Sequence, residues 1–138
     1  MSHGDAAEIA FDVPGWPPLK NEAKSMLSAG HHQHASVRAL LEAAAVATQQ
    51  AAWTPVGTDV ALDVVVPSPS PRPPGDATNY LGGIGDVLQD KSSPTNLDLS
   101  HLGSLRGVAL YVNDPQICRI AYRIEASHSP SYRSGYRS

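Results

Sequence analysis

TDVALDVVV (residues 58–66), PSPSPRPPG (67–75) and DATNYLGGIGDVLQD (76–90) decide the fold class between them. The first stretch is β-branched and bounded by Gly57 and Pro67, which predicts a strand. The second is a polyproline-like spacer that cannot join a sheet interior. In the third, Leu81, Ile84 and Leu88 recur at helical spacing, so a helix is expected from about Thr78 to Gln89, with Asp76 placed to cap its start.

Working outward, EIAFDV (8–13) alternates weakly into Pro14-Gly15 and reads as a short strand and a turn. Pro17 and Pro18 oppose helix, after which Asn21 and Glu22 can begin one, with Ala23, Met26 and Leu27 on one side and Gly30 interrupting it. The clearest helix runs from about Ser36 to Ala52. There Val37, Leu40, Leu41, Ala44, Ala45 and Thr48 form a stripe in an alanine-rich stretch, and Trp53 and Pro55 close it.

Downstream, 91–106 reads as a polar loop. GVALYVND (107–114) and QICRIAYRIEAS (116–127) then read as two strands around the turn 113–116. In the second of these, Cys118, Ile120, Tyr122 and Ile124 share one face and Arg119, Arg123 and Glu125 the other, which makes Cys118 a small core residue. The Ser-, Tyr- and Arg-rich stretch 127–138 reads as a flexible tail. The expected order is strand, helix, helix, strand, helix, strand, strand. That is an α+β fold: a small mixed β-sheet of about four strands with helices packed on it, one domain over 1–126.

Composition agrees with a small domain carrying long connections. Leu, Ile, Val and Phe together make 29 of 138 residues, and Gly 11 with Pro 12 is high usage. One Cys excludes a disulfide framework within the chain. The first thirteen residues have neither a basic start nor an apolar stretch, so neither a leader nor a membrane span is expected and the location is cytoplasmic. The net charge of −3 gives no bulk attraction for polyanions. Residues 1–70 carry 3 basic and 7 acidic side chains, whereas 71–138 carry 7 and 6, so a nucleic-acid surface would have to be built from the second half.

Chemistry concentrates around the third helix. Gly82, Gly83 and Gly85 each cost about 1 kcal/mol relative to alanine inside a helix. Either close approach of another backbone or tight helix-on-sheet packing would offset that penalty. Asn79 and Asp86 are two turns apart and lie on nearly one face, and Asp76 can overhang it. Carboxylates so gathered suit Mg²⁺ or Mn²⁺, which can activate water for phosphodiester hydrolysis. An N-cap beside two solvated polar residues is the simpler account of the same spacing. His31, His32 and His34 have zinc-binding spacing or form a solvated loop, with His101 and His128 elsewhere in the chain. Trp16 and Trp53 flank proline turns as anchors. Arg119 and Arg123 share a strand face and, with Arg133 and Arg137, can position a phosphate backbone.

GDATNYLGGIGDVL (75–88), YVNDPQI (111–117) and VPGWPPLKNEA (13–23) together resemble the RusA family of Holliday-junction resolvases. The resemblance implies an α/β homodimer that binds four-way DNA junctions and nicks them with Mg²⁺ or Mn²⁺. It places Asp76 at the first acidic ligand, Asn79 at the family's amide, Asp86 at the helix aspartate and Asp114 at the distal acidic ligand. Thr78 stands where the family has a second aspartate, Gly82 where it has a lysine, and Asn113 at the first position of its acidic pair. A threonine hydroxyl is a weaker cation ligand than a carboxylate, and without the lysine no helix cation offsets charge at the scissile phosphate.

The expected activity is a metal-dependent endonuclease on branched DNA, with Asp76, Asp86 and Asp114 catalytic, Asp76, Asp114 and Thr78 on the metal, and Asn79, Arg119 and Arg123 on DNA. The alternatives are a member of this fold that binds DNA or a protein without cutting, and a small-ligand or metal binder using the histidines.

Overall fold

The computed structural model of the chain describes residues 8–19, 27, 33–68, 77–89, 100–112, 114–128 and 130–138, with backbone alone for 68, 77, 78 and 114. Four strands form one sheet: β1 (Glu8–Pro14), β2 (Val60–Ser68), β3 (Ile117–Ala126) and β4 (Ser131–Arg137), in the spatial order β1-β4-β2-β3. β4 is antiparallel to both of its neighbours, while β2 and β3 run parallel. The fold is mixed α+β, an open mixed sheet with helices packed on one face, as the patterning implied.

That face is built by alternation. Ile9, Phe11 and Val13 of β1, Leu62, Val64 and Val66 of β2, and Tyr132 and Tyr136 of β4 are all buried. α1 (His34–Ala51) lays Val37, Leu40, Leu41 and Ala44 against it, mainly over β1. It stops at Ala52, whose left-handed φ of 52° lets the Trp53 N–H return to the Thr48 carbonyl at 2.9 Å. Trp53 then anchors the exit by donating its indole N–H to the Leu110 carbonyl at 3.0 Å. α2 (Ala77–Leu88) is the crossover between the parallel strands β2 and β3, and buries Tyr80, Ile84, Val87 and Leu88.

Several expectations need correction. Residues 131–137 are no tail: β4 sits in the middle of the sheet, with Tyr132, Ser134 and Tyr136 inward and Arg133 and Arg137 outward. The period of two is complete, but a serine occupies the central inward position and hides it. The described residues of 107–114 form no strand, only isolated bridges at Tyr111. A 3₁₀ segment (Ser100–Gly107), kinked at Gly103 with φ 57°, buries Leu102 and Leu105 inside the stretch read as a polar loop. The chain then passes through Ala109, Leu110 and Tyr111, all buried, which leaves no alternation for a sheet face. Pro67 belongs to β2 despite lying in the spacer. β4 pairs with Ala61–Val65 only, so the missing N–H of Pro67 falls beyond the last β4 partner. The helix expected after Asn21 and His31 and His32 lie outside the described residues, Leu27 excepted.

The core holds polar atoms without partners among the described residues, including the Tyr132 hydroxyl and Ser134 Oγ. Burial, with Tyr136 nearby, pushes the Tyr132 phenol well above its ordinary pKa. The neutral phenol is therefore favoured by the fold, and its contribution is present below about pH 10 and is lost as pH rises beyond it. Tyr132→Phe is expected to leave stability unchanged or raise it by about 1 kcal/mol at pH 7, and to flatten the decline above pH 10. Urea denaturation at the two pH values checks this, and a clear loss of stability at pH 7 would contradict it.

Candidate functional site

α2 runs from one end of the sheet to the other. In its first turn the Tyr80 ring stacks on Trp16, with centroids 6.3 Å apart and planes within 3°. Trp16 there shares a cleft with Gly15, Pro67 and Pro130, at the end of the sheet where β2 finishes. At the other end of α2 the Leu110 N–H donates to the Leu88 carbonyl at 2.8 Å, and the Val56 N–H to the Leu110 carbonyl at 3.2 Å. Tyr111 makes bridges to both Val56 and Gln89, and its hydroxyl donates to the Gly85 carbonyl. Twelve helical residues at 1.5 Å each separate these ends by about 18 Å.

This divides the metal set expected from the sequence. Thr78 and the half-buried Asn79 are in the first turn, while Asp86 is in the last. Asp114 opens the 3₁₀ turn Asp114–Gln116, held between Tyr111 and Gln116 at the last-turn end. Oxygen ligands sit at about 2.0–2.6 Å from Mg²⁺ or Ca²⁺, so Thr78 and Asp114 of one chain do not share a cation. Asp76 lies outside the described residues; its chain neighbour Ala77 begins α2 at the Thr78 end. Of the expected set, Asp86 and Asp114 are carboxylate-bearing positions brought to one end. Among the described residues no group of three or more His, Cys, Asp or Glu side chains is placed to hold a metal.

Two glutamines that the sequence did not single out hold this architecture. Gln116 Oε1 accepts the Val112 N–H at 2.8 Å, and its Nε2 donates to the carbonyls of Val56 at 2.8 Å and Thr58 at 2.7 Å. One amide thus ties the Asp114 turn to the approach to β2. Gln33, buried just before α1, accepts the Leu19 N–H and donates to the Leu19 carbonyl, as a neighbouring strand would. The resemblance offered a signal for Gln116, because its turn motif ends in that glutamine. Gln33 had none.

Among the described residues no helix packs on the outward face of the sheet, which holds the arginines. Registered across the strands, one row reads Glu8, Arg137, Ala61, Arg119 and the next Ala10, Gly135, Asp63, Ala121. These rows line a shallow trough of about 290 Å³. The following row is Asp12, Arg133, Val65, Arg123, where Arg133 pairs with Asp12 at 3.3 Å and Arg123 with Glu125 at 3.4 Å. Arg119 and Arg137 flank Ala61 about 10 Å apart, two strand spacings, and neither forms an ion pair among the described residues. The expectation that Arg119 and Arg123 share a face holds, and Arg133 and Arg137 join them. Their charge is offset in part by Glu8, Asp12, Asp63 and Glu125 on the same face.

Cys118 is exposed rather than a core residue: β3 is the edge strand, and its register against β2 shifts between Ile117 and Arg119, so Cys118 has no paired position there. Of the histidines, the His34 and His101 rings meet at 5.9 Å, too few donors by themselves for a structural zinc site. Among the described residues no helix is long and apolar enough to cross a membrane. No protein-family model matches the chain, and no curated protein matches it either.

Proposed function

We propose that the chain is a cytoplasmic, homodimeric RusA-like protein that binds branched DNA on the open face of its sheet without cutting it. The observation that carries the absence of cleavage is the length of α2. It keeps Thr78 and Asp114 at opposite ends, and Thr78 and Gly82 already stand where the resemblance calls for an aspartate and a lysine. The binding reading draws on the open face, where Arg119 and Arg123 project from β3 and Arg133 and Arg137 from β4, on either side of β2. Guanidinium groups bind phosphate oxygens in bidentate fashion and fix a backbone's position without reading sequence.

A second reading has one observation in its favour. Asp86 and Asp114 come to the same end of α2, and as a pair they would hold Mg²⁺ or Mn²⁺, which supplies an activated water for phosphodiester hydrolysis.

The test is a labelled four-way junction and matched duplex, incubated with Mn²⁺ or with chelator, beside Asp114→Asn and Arg123→Ala/Arg137→Ala. The junction is expected to shift uncut, with the double arginine variant binding roughly tenfold more weakly and showing a shallower salt dependence. Metal-dependent nicking lost in Asp114→Asn would replace this reading with the second. Neither shift nor cut would overturn both.

A further inference from the structure

The trough on the outward face carries a charge that phosphate binding alone does not use. Asp63 projects from β2, an inner strand, with Gly135 and Ala121 as its neighbours across the sheet. Neither neighbour is large enough to cover it. Asp63 is exposed and forms no hydrogen bond or ion pair among the described residues. One row along, Arg137 and Arg119 stand on either side of Ala61, each about 8 Å from Asp63 between backbones. They too have no ion pair among the described residues. Arg133 and Arg123 repeat the pattern two residues beyond Asp63, but these are held by Asp12 and Glu125. The free charges therefore gather in the trough of about 290 Å³: two guanidiniums, one carboxylate on the strand between them, and Glu8 at the β1 rim.

We infer that the trough holds one unpaired nucleotide of the bound DNA, with its flanking phosphates on Arg119 and Arg137 and a base N–H donating to Asp63. This rests on the DNA reading above and names the part of the DNA that the site takes. A surface that met phosphate alone would gain nothing from a carboxylate between its cations, because the two anions repel. An ionised carboxylate is purely an acceptor, and each of the four bases carries an N–H donor on its Watson–Crick edge. Those edges are free only where a base is unpaired, in a loop, a bulge or a strand end.

An intact duplex does not meet this arrangement. Its major groove admits an α-helix or a two-stranded ribbon, whereas Asp63 stands within a four-stranded face, with β4 and β1 on one side and β3 on the other. Laid on that face, a duplex presents its phosphate backbones, and a phosphate crossing β2 lies against the Asp63 carboxylate. A single strand can instead splay a base onto the sheet. Ala61, Gly135 and Ala121 keep the floor low enough for a ribose or a base to lie on it. No aromatic ring projects from the outward rows among the described residues, so the base is held by its hydrogen bond rather than by stacking.

The test is binding of the full chain, by fluorescence anisotropy in chelator at one fixed salt concentration. The probes are a matched duplex, the same duplex with a short unpaired bubble, and that bubble with its bases removed. Wild type is expected to bind the bubble about tenfold more tightly than the duplex, the scale of one good base contact. The abasic bubble keeps its phosphates but offers no base donor, and is expected to fall to the level of the duplex. Asp63→Ala is expected to bind duplex more tightly and the bubble more weakly, so that the preference disappears. Glu8→Gln removes the same charge from the rim and is expected to raise affinity for all three probes alike, leaving the preference in place. Circular dichroism verifies that both variants fold. Equal wild-type binding to duplex and bubble, an abasic bubble bound as tightly as the intact one, or a preference that survives Asp63→Ala overturns the inference and leaves the DNA reading standing. Failure to bind any of the probes overturns both.

Discussion

Gly83→Ala is expected to lower stability by about 3 kcal/mol, equivalent to roughly a 10 °C drop in melting temperature for a domain of this size. A methyl group on Gly83 would sit 1.9 Å from the Pro18 carbonyl oxygen and 2.6 Å from its carbon. Both are backbone atoms, so no rotamer change relieves the clash, and α2 and the 15–19 segment must part. The same segment carries the Trp16–Tyr80 stack and the Gln33–Leu19 hydrogen bonds, which would shift with it. Alanine gains about 1 kcal/mol of helix propensity over glycine, which offsets only part of this. Gly57→Ala is the control: nothing lies within 4 Å of its Cβ position, and no change or a slight gain is expected. Thermal melts of both variants decide the matter. An unchanged or raised melting temperature for Gly83→Ala would show that the close approach does not hold the helix.

Gln116→Ala is expected to cost about 2 kcal/mol, because it leaves the Val112 N–H and the Val56 and Thr58 carbonyls without their partner at once. The groups are partly reached by water, which keeps the cost below that of three deeply buried orphans. Gln116→Glu separates the donor role from packing. Its carboxylate still accepts from Val112 but is repelled by the two carbonyls, so the folded state favours the protonated acid and raises its pKa above the unfolded value. Stability is then fullest below the ordinary glutamate pKa and falls as pH rises through the raised one. Urea midpoints at pH 4 and pH 7 read this directly, relative to wild type at each pH. An alanine variant as stable as wild type, or a glutamate variant with no extra pH dependence, would remove Gln116 from the role given to it.

The parts of the fold legible in the sequence were those whose periodicity is carried by large apolar side chains. The Val37–Leu40–Leu41–Ala44 stripe and the valines of 60–66 announced α1 and β2 without ambiguity. β4 was lost because its alternation is written in Tyr, Ser and Arg, a composition that elsewhere belongs to mobile segments. Tyr111 was assigned to a strand because a run of buried residues looks like one. Its place between Val56 and Gln89 depends on where α2 ends in space. The glycines in α2 were recognisable as unusual, and for Gly83 the partner backbone proved to be Pro18 of the same chain. For the site, spacing correctly put Asn79 and Asp86 on one helix, two turns apart. Spacing along the chain cannot say that Asp114 returns to the last turn of α2 rather than to its first, because that follows from the crossover between parallel strands.

The strand order β1-β4-β2-β3 also sets the order in which the domain can be completed. β1 and β2 never touch as neighbours, since the strand between them is made after both, and Glu8 must find Arg137 across nearly the whole sequence. Contacts of such long range slow folding, because loop-closure entropy is lost before any pairing rewards it. On the ribosome, α1 and the β2–α2–β3 crossover can assemble early, but until residues 131–137 emerge β2 keeps one open side and β1 has no sheet to join. A nascent chain shorter than this carries two unpaired strand edges, one on β1 and one on β2, of the kind that other chains can pair with.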